Sequence, residues 1–146
     1  MARVRVVVEA DIRPTESEEK VREAILRIFE PERVAVEGVT GTRRIIMEST
    51  SLRSLEKLHR LLRVERILDA ARKVMRKGVQ GDRIVFRLHK QALYAGRLSF
   101  VGSDSESPMG AVTIIIEHPE PKRVIDWLAP RTVRGRPVFE IREPPE

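Results

Sequence analysis

The chain opens on a strict alternation. Over residues 2–13, Ala2, Val4, Val6, Val8, Ala10 and Ile12 fall on one side of an extended chain, with Arg3, Arg5, Glu9, Asp11 and Arg13 on the other. That is the pattern of a strand with one buried and one wet face. Pro14 ends it. Thr15 and Glu18 then stand at capping-box spacing, where their side chains satisfy orphan amides of a first helical turn. Glu16, Glu18 and Glu19 suit the positive end of the helix dipole. Val21, Ile25, Ile28 and Phe29 recur at helical spacing, which predicts a helix over 16–29 packed on a sheet. Arg33–Glu37 and Thr42–Glu48 read as two short strands around the turn Gly38–Gly41. The GxxG spacing of that turn also occurs in the clamp of KH domains. There it joins two helices; between two strand-like runs it reads as a hairpin.

Ser49, Thr50 and Ser51 cap a long helical stretch, Leu52–Lys77, whose apolar phase changes midway. Leu52, Leu55, Leu58 and Leu62 mark one face, while Val64, Ile67, Leu68, Ala71, Val74 and Met75 mark nearly the opposite one. A single straight helix would have to bury both sides. Either the chain bends near Arg63 into two helices, or the second half packs on a partner subunit. Gly78 and the Gly81–Asp82 turn end the stretch. Strands are predicted at Arg83–His89, Arg97–Val101 and Ala111–Glu117, the last apolar on both faces at its centre as a central strand should be. A polar loop, Gly102–Ser107, separates the last two strands. A short helix at Lys122–Leu128, a turn at Arg134–Pro137 and a final strand at Val138–Arg142 complete the pattern. The expectation is one α+β domain over 1–142 with a frayed acidic tail at 143–146. It has a single mixed or antiparallel sheet, with helices packed mainly on one face.

Composition narrows the function more than the fold. At 146 residues the chain supports its own core. Its longest apolar runs, such as Val112–Ile116, are far too short to span a bilayer, and the N-terminus lacks the apolar stretch of a signal peptide, so a cytoplasmic protein is expected. Cysteine is absent, which removes disulfides, thiolate nucleophiles and Cys-based zinc sites together. Asparagine is absent and glutamine occurs only at Gln80 and Gln91, a shortage of thermolabile residues that suggests adaptation to heat. The net charge of +6 is unevenly placed. Residues 52–97 hold thirteen Arg and Lys against four Asp and Glu, a net +9, and the remainder carries −3. Such asymmetry points to a polyanion-facing surface.

Little else reads as chemistry. His59, His89 and His118 lack partners at zinc-motif spacing, and the Asp104/Glu106 loop lacks the ligand series of a calcium loop. Neither GxxxxGK[ST], GxGxxG nor GxSxG occurs, so no cofactor, metal or catalytic residue is assigned and no enzyme is expected. Arg134-Gly-Arg-Pro137 matches the core of a minor-groove hook, but between a helix and a strand it reads as a turn. The candidate site is a basic stripe: Arg53, Lys57 and Arg60, then Arg66, Lys73, Arg76 and Lys77, with Arg87, Lys90, Gln91 and Arg97 from the segment that follows. Phosphate contacts need little more than positive charge at phosphate spacing. The stripe lacks a stacking platform, its nearby aromatics being Phe86, Tyr94 and Phe100, so structured RNA read by shape suits it better than single strands.

DRIVFRLHKQALYAGRLSF at 82–100, SPMGAVTI at 107–114 and DWLAPRTVRGRPV at 126–138 resemble the archaeal Uncharacterised Protein Family 0201. The N-terminal strand and the TESEEKV helix start fit too, so the likeness covers nearly the whole chain. His89 departs from the Asn expected before Lys90-Gln91. The resemblance implies a fold similar to large-subunit ribosomal protein five, homodimers and an RNA-binding role. Trp127 reads as a core anchor. Two functions follow: a non-catalytic binder of structured RNA attached to ribosomal or RNA-processing machinery, or a homodimeric scaffold whose charges form ion pairs. Clustered, unpaired guanidinium groups favour the first, and Arg–Glu networks the second.

Overall fold

A computed structural model of the chain describes residues 3–39, 41, 43–102 and 110–146. The opening alternation forms strand β1, Arg5–Ile12, with Val6, Val8, Ala10 and Ile12 in the core. The sheet runs in the order β2 (Arg33–Glu37), β3 (Arg43–Ser49), β1, β7 (Ala111–Glu117), β5 (Arg83–His89) and β4 (Val79–Gln80). Strand β6, Phe100–Val101, pairs with the end of β5, and all the described ladders are antiparallel. The registers align faces across the sheet: Val8 lies opposite Met47 on one side and Ile114 on the other, and Ile114 lies opposite Phe86. These positions form one apolar surface. Helices α1 (Glu18–Leu26), α2 (Glu56–Val64), α3 (Leu68–Lys77) and α5 (Pro121–Leu128) cover it with Val21, Ile25, Leu58, Leu62, Ala71, Met75, Trp127 and Leu128, in a single core. Each Val, Ile, Leu or Met among them contributes about 1.5–3 kcal/mol by leaving water. This is the α+β class expected, with helices on one face.

The other face of the sheet is wet and bound together by charge. Arg5 bridges Glu48 at 2.6 Å and Glu117 at 3.6 Å, Arg33 reaches Glu48 at 3.1 Å, and Arg44 contacts Glu9 at 2.8 Å and also Asp11.

The 52–77 stretch divides as its phase change requires, at Glu65–Ile67 rather than Arg63. A 3₁₀ turn, Leu52–Leu55, capped by the Ser51 hydroxyl, leads into α2. At the far end Arg66 N donates to Arg63 O and Ile67 N to Leu62 O, both at 3.1 Å, with Arg66 left-handed at φ 56°. That is a Schellman end with arginine where glycine is usual.

Local details depart from expectation. Ser17, not Thr15, caps α1, its hydroxyl accepting from Lys20 N at 3.3 Å. Thr15 and Glu16 lie in a turn in which Glu16 N donates to Arg13 O at 2.8 Å. Lys90-Gln91-Ala92-Leu93-Tyr94 forms α4, one turn of helix that the pattern did not predict, since five residues carry no periodicity. No strand forms at Val138–Arg142. The hairpin strands are β8, Thr132–Val133, and β9, Arg136–Pro137, and the segment after them is irregular, with Ile141 packed on the core. The tail expected to fray makes contacts. Glu146 accepts from Ser51 Oγ at 2.8 Å and Arg53 N at 3.1 Å, and Glu143 pairs with Arg53. His118 Nδ1 accepts from Glu120 N at 2.8 Å, so Nε2 carries the proton that it donates to Pro145 O. The Asp104/Glu106 and Ser107–Pro108 readings lie outside the described residues. No helix among the described residues is long and apolar enough to cross a membrane.

Lys90 is the main correction. Its side chain is 0% exposed, where an RNA contact must be open. Residues Ile84, Phe86 and Leu88 point inward, and Lys90 keeps their parity one step past the strand. Its ammonium donates to Asp11 O at 2.7 Å and to Glu16 Oε1 at 2.9 Å, while Tyr94 Oη donates to Glu16 Oε2 at 2.6 Å. Burial alone would raise the Glu16 pKa. The bonds from Tyr94, Arg13 N and Lys90, with the lysine's charge, outweigh burial and hold it below the ordinary carboxylate value. Burial and the Glu16 carboxylate push the Tyr94 phenol up.

Breaking this pair from one side strands a buried charge, at a cost of about 3–5 kcal/mol. Lys90→Met lowers stability by that order in denaturant melts, and adding Glu16→Gln recovers a large part of it. Because Glu16 is depressed in the folded state, its contribution is present above about pH 4.5 and lost as pH falls below that. Melting curves across pH 2–6 accordingly converge for the wild type and Glu16→Gln at the acid end.

Candidate nucleic-acid interface

Helix α3 buries Leu68, Ala71 and Met75, so its outer face carries Asp69, Arg72, Lys73 and Arg76 at the i, i+3, i+4 and i+7 spacing, with Lys77 beside them. Helix α5 buries Val124, Ile125, Trp127 and Leu128 and turns Lys122 outward. Between them runs a groove of about 400 Å³ lined by Arg72, Arg76, Val79, Lys122, Ile125 and Arg131. Arg72 is its strut. Only 12% exposed, it donates to Asp126 Oδ1 at 2.9 Å and to Ala129 O at 3.1 Å. Arg76, Lys122 and Arg131 are exposed, and none has a partner among the described residues. Lys73 and Lys77 extend the same unneutralised surface along α3.

Arg63 plays the matching part on α2. It forms a two-pronged ion pair with Glu140, at 2.7 and 2.8 Å, and donates to His59 O, Trp127 O and Leu128 O. The hydrogen bonds from Arg63 hold the Glu140 carboxyl below its ordinary value. His59 stacks on Trp127 with ring centroids 4.9 Å apart, and burial, reinforced by Arg63, pushes its pKa down to about 4. Its imidazole is therefore neutral at pH 7 and adds nothing to the positive surface. Thr132 Oγ1 donates to Asp69, which seats the β8–β9 hairpin on the start of α3.

The expected stripe is thereby split. Lys73, Arg76 and Lys77 come together, and exposed Arg66 sits just before α3. Arg60 is exposed on α2 without a partner. Arg53 is paired with Glu143 and Glu56, and Lys57 donates to Leu26 O at 3.0 Å and faces Glu30 at 3.5 Å, so neither is free for phosphate. Arg87 lies half-buried on the opposite face of the sheet. Gln91 and Arg97 are exposed around α4, and Lys90 is interior.

The regional charge balance of the sequence conceals Lys122 and Arg131, because the region that holds them is acidic. Its acids are taken up in ion pairs within the chain: Glu120 with Arg123, Asp126 with Arg72, Glu140 with Arg63 and Glu143 with Arg53. The spacing Arg131–Arg134–Arg136 was the available signal. Among the described residues no three histidine or acidic side chains converge to hold a metal. Glu16 adjoins a cavity of about 560 Å³ beside α1, but its oxygens already accept from Arg13 N, Lys90 and Tyr94. It is a fixed structural anion.

A family model described as RNA binding matches residues 5–118. The UPF0201 protein of Aeropyrum pernix is 61% identical over 144 residues, covering 98% of this chain and 96% of that protein. That of Metallosphaera sedula is 50% identical over 137 residues, covering 93% of this chain and 94% of the other. The crystal structure of a UPF0201 protein from Methanococcus jannaschii superposes with a TM-score of 0.81 at 33% identity, over 92% of this chain and 99% of that one.

Proposed function

The chain belongs to the UPF0201 family, and on that premise we propose that it is a non-catalytic RNA-binding protein of the cytoplasm that grips the backbone of structured RNA. The observation that carries this reading is the uncompensated charge of Lys73, Arg76, Lys77, Lys122 and Arg131 across α3, α5 and the hairpin. Most other arginines of the helical layer are tied to carboxylates or carbonyls. Fixed cations on packed helices suit phosphates and carry no base code, which favours recognition by shape.

The test is fluorescence anisotropy with a structured RNA, a single-stranded RNA and duplex DNA over a range of salt. Micromolar or tighter binding to the structured RNA at physiological salt is expected, falling at least tenfold in Arg76→Glu/Lys122→Glu. Each lost phosphate contact lowers the slope of log affinity against log salt by about one. Arg53→Gln, whose charge is already paired, leaves affinity unchanged. Equal binding to all three polyanions that vanishes by physiological salt sinks the proposal.

Arg66 separates stability from binding. Left-handed backbone costs a side-chain-bearing residue roughly 1–2 kcal/mol, part of which glycine recovers. Arg66→Gly therefore raises the melting temperature while weakening RNA binding severalfold. A variant that gains stability and binds as before removes Arg66 from the interface.

A second reading, homodimerisation, is favoured by the open face of the sheet. Half-buried Ile46, Ile115 and Val85 lie at its centre beside buried Val7, and the ion pairs of Arg5, Arg33 and Arg44 frame them. Light scattering on the eluting protein should then give twice the chain mass, reduced to the monomer by Ile115→Arg. A wild-type monomer at micromolar concentration refutes it.

A further inference from the structure

Of the chain's four phenylalanines, one tyrosine and one tryptophan, Phe139 alone is exposed, at 73% of its surface. A large aromatic left in water needs a reason. Phe139 lines a cavity of about 300 Å³, whose other walls include Lys122, Asp126, Pro130, Arg131 and Val138. This cavity and the α3–α5 groove share Arg72, Lys122 and Arg131, so the aromatic ring and the cationic groove are one continuous surface.

The charges around the ring indicate what covers it. Arg131, Arg134, Arg136 and Arg142 are exposed, and their side chains have no partner among the described residues. Of the nearby acids, Asp126 is paired with Arg72 and Glu140 with Arg63, whereas Asp69, which accepts from the neutral Thr132 hydroxyl, keeps its charge at the start of α3. A second copy of this chain would bring these arginines against their own kind, whereas a polyanion neutralises them. The hairpin is also held in shape. Arg134 and Gly135, both left-handed at φ 53° and 79°, form the two-residue turn that matches strand twist, and Thr132 pins the hairpin to α3.

We propose that Phe139 is a stacking subsite for one unpaired nucleotide of the bound RNA, with Lys122 and Arg131 holding its flanking phosphates. The proposal rests on the groove reading above and adds to it. The groove takes paired RNA by its backbone, and the ring takes a bulged or terminal base by its π-face. Stacking on an aromatic side chain tolerates any base, so the preference is for an unpaired nucleotide rather than for a sequence.

The experiment compares a blunt RNA duplex, the same duplex with one bulged adenosine, and the same duplex with a bulged abasic site. Each is titrated with the wild type, Phe139→Ala and Phe139→Trp at physiological salt. The wild type should bind the bulged adenosine about tenfold tighter than the blunt duplex. Phe139→Ala and the abasic bulge should each erase that preference, the two together should do no more than either alone, and Phe139→Trp should keep it. Since Phe139 is exposed, unchanged melting temperatures verify that the variants are folded. If Phe139→Ala weakens all three duplexes equally, or the abasic bulge binds as well as adenosine, stacking is overturned while the groove reading stands. A change of oligomeric state in Phe139→Ala overturns it in favour of a self-contact. Failure of the wild type to bind any of the duplexes overturns the groove reading itself.

Discussion

The helical layer depends on how α5 ends. The carbonyls of Trp127, Leu128 and Ala129 come at the close of that helix, where no further turn supplies amide donors, and all three residues are buried. Two guanidinium groups from other helices satisfy them: Arg63 reaches Trp127 O and Leu128 O, and Arg72 reaches Ala129 O. A cation at a helix C-terminus is favourable in its own right, by about 0.3–1 kcal/mol or more when partly buried. Here it also satisfies groups that would be costly to leave bare. Because Arg63 comes from α2 and Arg72 from α3, the same contacts fix the position of three helices and hence the walls of the groove.

The fold therefore sorts its arginines into three populations. On the open sheet face Arg5, Arg33 and Arg44 interlock with Glu9, Asp11, Glu48 and Glu117. Such exposed pairs are weak singly and gain worth as networks at high temperature. In the helical layer Arg63 and Arg72 are mechanical. Around the groove and hairpin a third set, Lys73, Arg76, Lys77, Lys122, Arg131, Arg134 and Arg136, is exposed without an ion-pair partner among the described residues. Asp126 and Glu140 are paired with the struts Arg72 and Arg63, so their charge is largely spent there and not on this surface. Its positive charge follows from local pairing and not from the net charge of the chain.

Period and parity made most of the scaffold legible. The alternation of residues 2–13 gave β1, and the phase reversal after Leu62 required the break realised at Arg66. Lys90 shows the limit. Its type argued for the surface and its parity with Ile84, Phe86 and Leu88 argued for the core; parity prevailed because Glu16 and Asp11 O were there to receive the charge. That partner sits 74 positions away, a distance no local pattern spans. Val138–Arg142 failed for a related reason. Its alternation is real, but no strand edge lies beside it, and a strand without a neighbour gains nothing from being extended. Lys122, Arg131 and Phe139 were hidden because their exposure and freedom from pairing are tertiary facts.

Backbone strain points to the same surface as charge does. Among the described residues, the non-glycine positions with positive φ are Arg66 and Arg134, both arginines, both exposed and without partners. Each stands where glycine or asparagine would sit more easily, at a helix C′ position and in the first place of a hairpin turn. A packed core of this size tolerates roughly 1–2 kcal/mol of strain at each; the Schellman bonds that end α2 and the β8–β9 ladder hold the backbone there, and neither side chain has a hydrogen-bond or ion-pair partner. The turns explain the backbone at both positions but not the choice of arginine over glycine, and a positive charge retained at a strained turn is accounted for by what lies outside the molecule.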